Sequence, residues 1–118
     1  MLTASELVES SGLTYRQLDY LSSNGIVLAH TGGPGSGFPR RYPGIEVRIA
    51  LICARLRRVG ARNDVLLRVA EQLRRLPEDT DWPDRIYVTE SGGVATRPVS
   101  DVGWIVRARE DVVEPAAA

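Results

Sequence analysis

The chain has 118 residues, of which 43% are hydrophobic and 25% charged, and such values are ordinary for a globular protein. They exclude wholesale disorder, and the length fits one domain or one domain with a small appendage. The net charge of zero conceals an asymmetry, because residues 1–76 hold eleven arginines and six acids whereas residues 77–118 hold four arginines and nine acids.

All fifteen basic residues are arginine. The absence of lysine is better explained by biased codon usage than by function. The segregation of charge is more informative, because a basic half beside an acidic half indicates a surface that binds polyanions.

The single cysteine, Cys53, cannot form an internal disulfide, and no ligand cluster indicates a metal site. Residues 1–6 lack the basic and apolar pattern of a signal peptide, and no apolar run approaches the roughly 20 residues of a membrane helix. We therefore expect a cytoplasmic protein that does not contact a membrane.

Two short helices are predicted at the start of the chain. Residues 3–6 fit a capping box, and the helix that they begin ends at Gly12. Residues 14–17 repeat the capping pattern, and Leu18 and Leu21 lie on one face of the second helix. The tight connection predicts a helix-turn-helix.

A β-hairpin with a long tip is predicted next. Asn24–Gly25 suits the end of the second helix, and Ile26–Ala29 has the composition of a short strand. The glycine-rich residues 31–37 suit neither a helix nor a strand interior, and Arg40–Tyr42 is predicted as the returning strand. A hairpin in this position is a wing.

Two longer helices should follow. Pro43 suits a helix start, and the apolar positions from Ile45 to Val59 have helical spacing up to Gly60. Asn63 is expected to cap the last helix, which Pro77 ends.

The acidic part of the chain has a different pattern. Residues 77–84 are interpreted as a linker, residues 85–110 as a three-stranded antiparallel β element, and residues 111–118 as a flexible tail. So small a β element needs a surface to pack on, and Trp82 and Trp104 are candidates for docking it.

The block from Leu2 to Leu76 resembles the DNA-binding domain of MerR-type regulators. The matching motifs follow the family's order and comprise residues 12–21, 24–27, Gly37 with 40–42, 46–47 and 56–60. The resemblance implies an α+β winged helix-turn-helix, with four helices and a wing hairpin, to which the small C-terminal β element is attached.

The resemblance also implies a set of DNA-binding residues. They are Thr14, Tyr15, Arg16, Gln17, Tyr20, Arg40, Arg41 and Tyr42. Arg16, on the first turn of the recognition helix, is suited to guanine or phosphate, and the two wing arginines are suited to phosphate or the minor groove.

Two departures from the family pattern limit what is carried over. Asp19 lies where the family often has a basic residue. Pro77 and the β element replace the long helix that forms the family's usual dimer. Effector sensing and that dimer are therefore not implied.

Other motifs favour structure over chemistry. The glycine frame of residues 32–37 lacks the lysine of a phosphate-binding loop and is followed by Phe38–Pro39. His30 suits a structural or solvent-facing position, and Cys53 lies among apolar residues typical of a core. No catalytic residue, cofactor or metal is expected.

The leading hypothesis is sequence-specific binding of double-stranded DNA by a transcriptional regulator without a ligand-sensing domain. An architectural role, as in the phage excisionase-like recombination directionality factors that share this fold, is the alternative. A third hypothesis makes the acidic β element a protein-interaction module. A homodimer is also left open, since a single small winged helix buries little surface on DNA.

Overall fold

The computed structural model describes residues 1–30, 40–76, 82–110 and 112–116. Within these ranges the chain forms four helices and two small antiparallel sheets, which confirms the α+β class. None of the helices in this part of the chain has the length and apolar character needed to cross a membrane.

The helices are α1 (Ala4–Ser11), α2 (Tyr15–Ser23), α3 (Gly44–Arg58) and α4 (Asn63–Arg74). The strands are β1 (Leu2–Thr3), β2 (Arg41–Tyr42), β3 (Arg85–Thr89), β4 (Val94–Ala95), β5 (Val102–Arg107) and β6 (Val112–Pro115). β1 pairs with β2, and the other strands form one sheet in the order β4-β3-β5-β6.

Local hydrogen bonds define the start of α1. The Thr3 hydroxyl accepts the Glu6 N–H at 3.2 Å, and the Glu6 carboxylate accepts the Thr3 N–H at 3.1 Å, as the capping box predicts. The hydrogen bonds from the Thr3 backbone and side chain hold the pKa of Glu6 below its ordinary value. Gly12 ends the helix with a φ of 78°, a conformation that glycine adopts without steric cost.

The predicted strand Ile26–Ala29 is wrong, because its backbone groups are bound elsewhere. The N–H groups of Ile26 and Val27 donate to the Leu21 carbonyl at the end of α2. The Leu28 N–H donates to the Glu46 carboxylate at 2.7 Å. Few groups remain for a ladder, and within the described residues this segment is followed by an isolated antiparallel bridge between His30 and Arg41.

The predicted returning strand is present as β2, but its partner is unexpected. Leu2 pairs with Tyr42 and Thr3 with Arg41, so the chain's first residues form the neighbouring strand β1. The predicted wing tip, residues 31–39, lies outside the described residues.

A buried ion pair joins α3 to α4. The Arg74 guanidinium contacts both carboxylate oxygens of Glu46, at 2.6 and 2.7 Å, and donates to the Ile26 carbonyl at 2.5 Å. Only 5% of the Glu46 side chain and 20% of the Arg74 side chain are exposed. Together with the Leu28 N–H bond, this pair attaches the segment after α2 to both long helices.

The start of α4 differs from the predicted cap. Arg62 occupies the N-cap position and makes no capping hydrogen bond with its side chain, so the prediction that Asn63 caps this helix is wrong. The Asn63 amide is instead bound to Tyr20 and Asn24, at the end of α2. A tertiary contact has therefore replaced a local one.

The C-terminal sheet has four strands and not the three predicted. β6 lies within the predicted tail and pairs with β5 in the register Val106 to Val113. The other three strands, β3, β4 and β5, lie within residues 85–110, where three strands are predicted. Residues 77–81 of the predicted linker, and residues 111, 117 and 118 of the predicted tail, lie outside the described part of the chain.

This sheet packs on α3 and α4. Trp82 is 6% exposed, and the Arg48 guanidinium of α3 lies 4.0 Å from its ring centroid. The Gln72 amide of α4 bonds the Gly92 carbonyl and the Val94 N–H, at 3.2 and 2.8 Å. Gly92 lies so close to α4 that an added Cβ would come within 2.9 Å of the Val65 carbonyl. The β unit and the helices therefore share one core.

Removing one partner of the Glu46–Arg74 pair should be strongly destabilising. We expect Arg74→Met to lower the free energy of unfolding by about 3 kcal/mol, because it leaves a buried carboxylate without its counter-charge. The double variant Glu46→Met/Arg74→Met should lose less than the sum of the single losses. Urea denaturation followed by circular dichroism measures each value.

The matched control is Arg62→Met, since the Arg62–Asp64 pair is 81% and 72% exposed and an exposed pair contributes only about 0–1 kcal/mol. A loss for Arg74→Met no larger than that of the control would contradict the role given to the buried pair.

Cys53 should be chemically inert in the folded protein. It is fully buried in α3, its thiol lies 3.9 Å from the Leu66 carbonyl oxygen, and burial raises its pKa to about 12. Because the thiolate is the reactive form, iodoacetamide at about pH 8 should label the native protein far more slowly than the urea-unfolded protein. Mass spectrometry measures this ratio, and equal labelling rates would show that Cys53 is accessible.

Candidate nucleic-acid interface

Helix α2 begins in a reciprocal capping box. The Thr14 hydroxyl accepts the Gln17 N–H at 3.1 Å, and the Gln17 side-chain oxygen accepts the Thr14 N–H at 2.9 Å. The side chains of Thr14 and Gln17, both predicted to bind DNA, are therefore hydrogen-bonded to the backbone at the start of α2. Their first role is to fix where α2 begins.

The burial of two leucines determines which face of α2 is exposed. Leu18 and Leu21 are each 1% exposed and pack in the core. Tyr15 is 54% exposed, and Arg16 and Asp19 are exposed beside it. Arg16 makes no ion pair with any described residue. The first turn of α2 therefore presents to solvent a phenol and a guanidinium that no described acid pairs with.

The three residues around β2 have different environments. Arg40 is ion-paired with Asp19 on α2, with 3.0 Å between the guanidinium nitrogen and the carboxylate oxygen. Arg41 is exposed, and its backbone pairs with Thr3 and His30. Tyr42 is fully buried, and its hydroxyl lies 3.1 Å from the Ser22 hydroxyl. Tyr42 therefore positions α2 against β2 from inside the core, and its ring is not part of the exposed surface.

Tyr20 is held from two sides. Its hydroxyl donates to the Asn63 side-chain oxygen at 2.5 Å, and the Arg57 guanidinium lies 3.6 Å from its ring centroid. Asn63 in turn donates to the Asn24 side-chain oxygen at 3.1 Å. These contacts fix α2 relative to the end of α3 and the start of α4, and they leave Tyr20 only partly exposed.

A groove of about 270 Å³ runs between α2 and the last turns of α3. We call it the arginine groove, and its lining residues are Gln17, Leu21, Ala54, Arg57 and Arg58. A neighbouring cavity of about 200 Å³ adds Arg55 and the turn residues 11–13. No ion pair between these three arginines and a described acid neutralises them. The groove is therefore positively charged, a property that suits phosphate groups.

The predicted site residues form two groups in the structure. Arg16, Tyr15, Arg40 and Arg41 are on the surface, whereas Tyr42 is in the core and Thr14, Gln17 and Tyr20 have structural hydrogen bonds. Arg57 and Asn63 also belong to this region, although neither is among the predicted site residues. Their contacts with Tyr20 join residues 37 and 43 positions apart in the chain, and no local pattern signals such a pairing.

The part of the chain that the structure describes contains no group of three or more His, Cys, Asp or Glu residues placed to hold a metal ion. The candidate interface is an exposed face of α2 with arginines on neighbouring elements.

No protein-family model matches this chain, and neither the curated proteins nor the solved structures include a significant match to it.

Proposed function

We propose that this chain binds double-stranded DNA sequence-specifically through α2, as a transcriptional regulator without catalytic activity. The observation that carries the proposal is the exposed first turn of α2, on which Arg16 has no partner among the described residues. The resemblance of residues 12–21 to the recognition helix of MerR-type regulators supports the same assignment.

The chemistry of the α2 face suits base readout. An α-helix fits into the major groove with its N-terminal residues at the base edges. Arg16 is the second residue of α2, so its guanidinium can reach guanine O6 and N7 in a bidentate contact. Tyr15 adjoins it, with a planar ring and a hydroxyl that suit either a base or the backbone.

Arginines from two other elements adjoin α2 and suit phosphate. Arg40 and Arg41 lie at β2, and Arg57 and Arg58 line the arginine groove. Phosphate contacts would supply most of the affinity and fix the register of the protein on the duplex, whereas base contacts would select the sequence.

Within the α+β class, we propose that residues 1–76 form a winged helix-turn-helix. α1 and α2 would be the helix pair, and β2 would be part of the wing. The pairing of β2 with β1 supports a fixed wing base, because it ties this strand to the residues that precede α1.

The role of Arg16 can be tested with binding sites selected by the wild-type protein from a random pool of duplexes. We expect Arg16→Ala to weaken binding to the selected duplex by roughly 5- to 150-fold, the value of one bidentate base contact. Fluorescence anisotropy measures the affinity across a salt series, because phosphate contacts make it salt-dependent.

The matched control is Arg97→Ala, which removes an exposed arginine beyond β4 and should change affinity little. Absence of duplex binding at about 50 mM salt, where phosphate contacts are strongest, would contradict DNA binding altogether. Equal effects of the two substitutions would contradict readout by Arg16. A palindromic selected site would indicate a dimeric regulator, and tandem direct repeats would favour the architectural role.

A further inference from the structure

Asp19 occupies an unusual place for an acid on this surface. It is the single acidic residue of α2 and lies one turn after Arg16, on the exposed side of the helix. Its carboxylate oxygen is 3.0 Å from the guanidinium of Arg40, the residue directly before β2. The contact joins the middle of α2 to the residue before β2, across 21 positions in the chain.

Stability does not account for this ion pair. The side chains of Arg40 and Asp19 are 45% and 60% exposed, and exposed pairs contribute little to folding because water and salt screen them. The buried Glu46–Arg74 pair already attaches the segment after α2 to the long helices. The effect of Asp19 is therefore on the charge of the surface.

We propose that Asp19 is a specificity-determining residue, which restrains Arg40 and penalises binding to DNA of the wrong sequence. This inference rests on the proposed function, since it assumes that α2 approaches a duplex. In the paired state Arg40 adds no net charge, and a phosphate must compete with the Asp19 carboxylate for its guanidinium. If Arg40 leaves for a phosphate, Asp19 remains as an uncompensated negative charge beside the DNA backbone.

The penalty differs between correct and incorrect sequences. On an incorrect sequence the protein is held by phosphate contacts alone, so the repulsion from Asp19 has no compensation. On the correct sequence α2 lies among base edges, where a carboxylate can accept a hydrogen bond from the cytosine amino group. A repulsive element directed at the wrong partner is a general source of specificity.

The experiment compares Asp19→Asn with the wild type on two duplexes, the one selected by the wild type and a scrambled duplex of equal composition. We expect Asp19→Asn to bind the scrambled duplex roughly 3- to 10-fold more tightly, with a salt dependence steeper by about one phosphate contact. Affinity for the selected duplex should rise less or fall, so that the ratio of the two affinities decreases.

Two further variants identify the cause. Glu71→Gln removes one negative charge from an exposed position on α4 and should leave the ratio unchanged. Arg40→Gln in the Asp19→Asn background should remove most of the gain on the scrambled duplex, because the gain requires the released guanidinium. Circular dichroism should show the same fold for every variant, since both members of the ion pair are exposed.

The outcomes separate this inference from the proposed function. If the wild type binds the selected duplex but Asp19→Asn leaves the affinity ratio unchanged or raises it, Asp19 does not determine specificity and the proposed function stands. An equal fall of the ratio in Glu71→Gln would assign the effect to net charge and also overturn the inference. Failure of the wild type to bind either duplex would overturn both proposals.

Discussion

The arrangement of this fold depends on a buried ion pair between two helices. Arg74 of α4 contacts both oxygens of the Glu46 carboxylate on α3, and the same two side chains bind the backbone of the segment that leaves α2. A buried charge is tolerated only when it is paired and its remaining hydrogen-bonding capacity is used. Ile26 and Leu28 supply the groups that meet this requirement, so the path of the chain toward β2 is coupled to the packing of α3 on α4.

The consequence of this coupling is the position of α2. Its inner face is buried through Leu18 and Leu21, its end is held by Asn63, and Tyr42 reaches Ser22 from the core. A helix restrained at so many points loses little conformational entropy when it binds a partner, and such preorganisation favours affinity. The exposed first turn, with Tyr15 and Arg16, therefore belongs to a helix that is held at its inner face and at its end.

The surface around α2 is mainly basic but contains one acidic residue, Asp19. Arginines of α2, of α3 and of the chain at β2 form the basic surface. Asp19 neutralises one of them, Arg40, through an ion pair. The C-terminal sheet is not a separate acidic appendage, because Trp82 and Gln72 connect it to the same two helices that hold α2. Both ends of the chain therefore contribute to one hydrophobic core.

The helices of this protein could be predicted because their signals are local. The capping boxes at Thr3 and Thr14 use bonds between residues three apart, and the structure has both of them. The strand prediction at Ile26–Ala29 is wrong because the end of α2 and two distant side chains, Glu46 and Arg74, bind its backbone groups. The cap prediction at Asn63 is wrong because its side chain bonds Tyr20 instead. β1 and β6 have only two and four residues, too few to show the alternating pattern of a strand, and they exist through their pairing with β2 and β5.

The same distinction applies to the candidate site. The sequence by itself determined that α2 begins at a capping box, since Thr14 and Gln17 are three residues apart. It also determined that the leucines face inward and that Arg16 lies on the outer face, since helical periodicity decides these two points. Only the tertiary structure decided that Tyr42 is buried, that Arg57 and Asn63 contact Tyr20, and that Asp19 forms an ion pair with Arg40. These contacts join residues 20 to 43 positions apart, and their formation depends on how the helices and β2 pack and not on the pattern within any one of them.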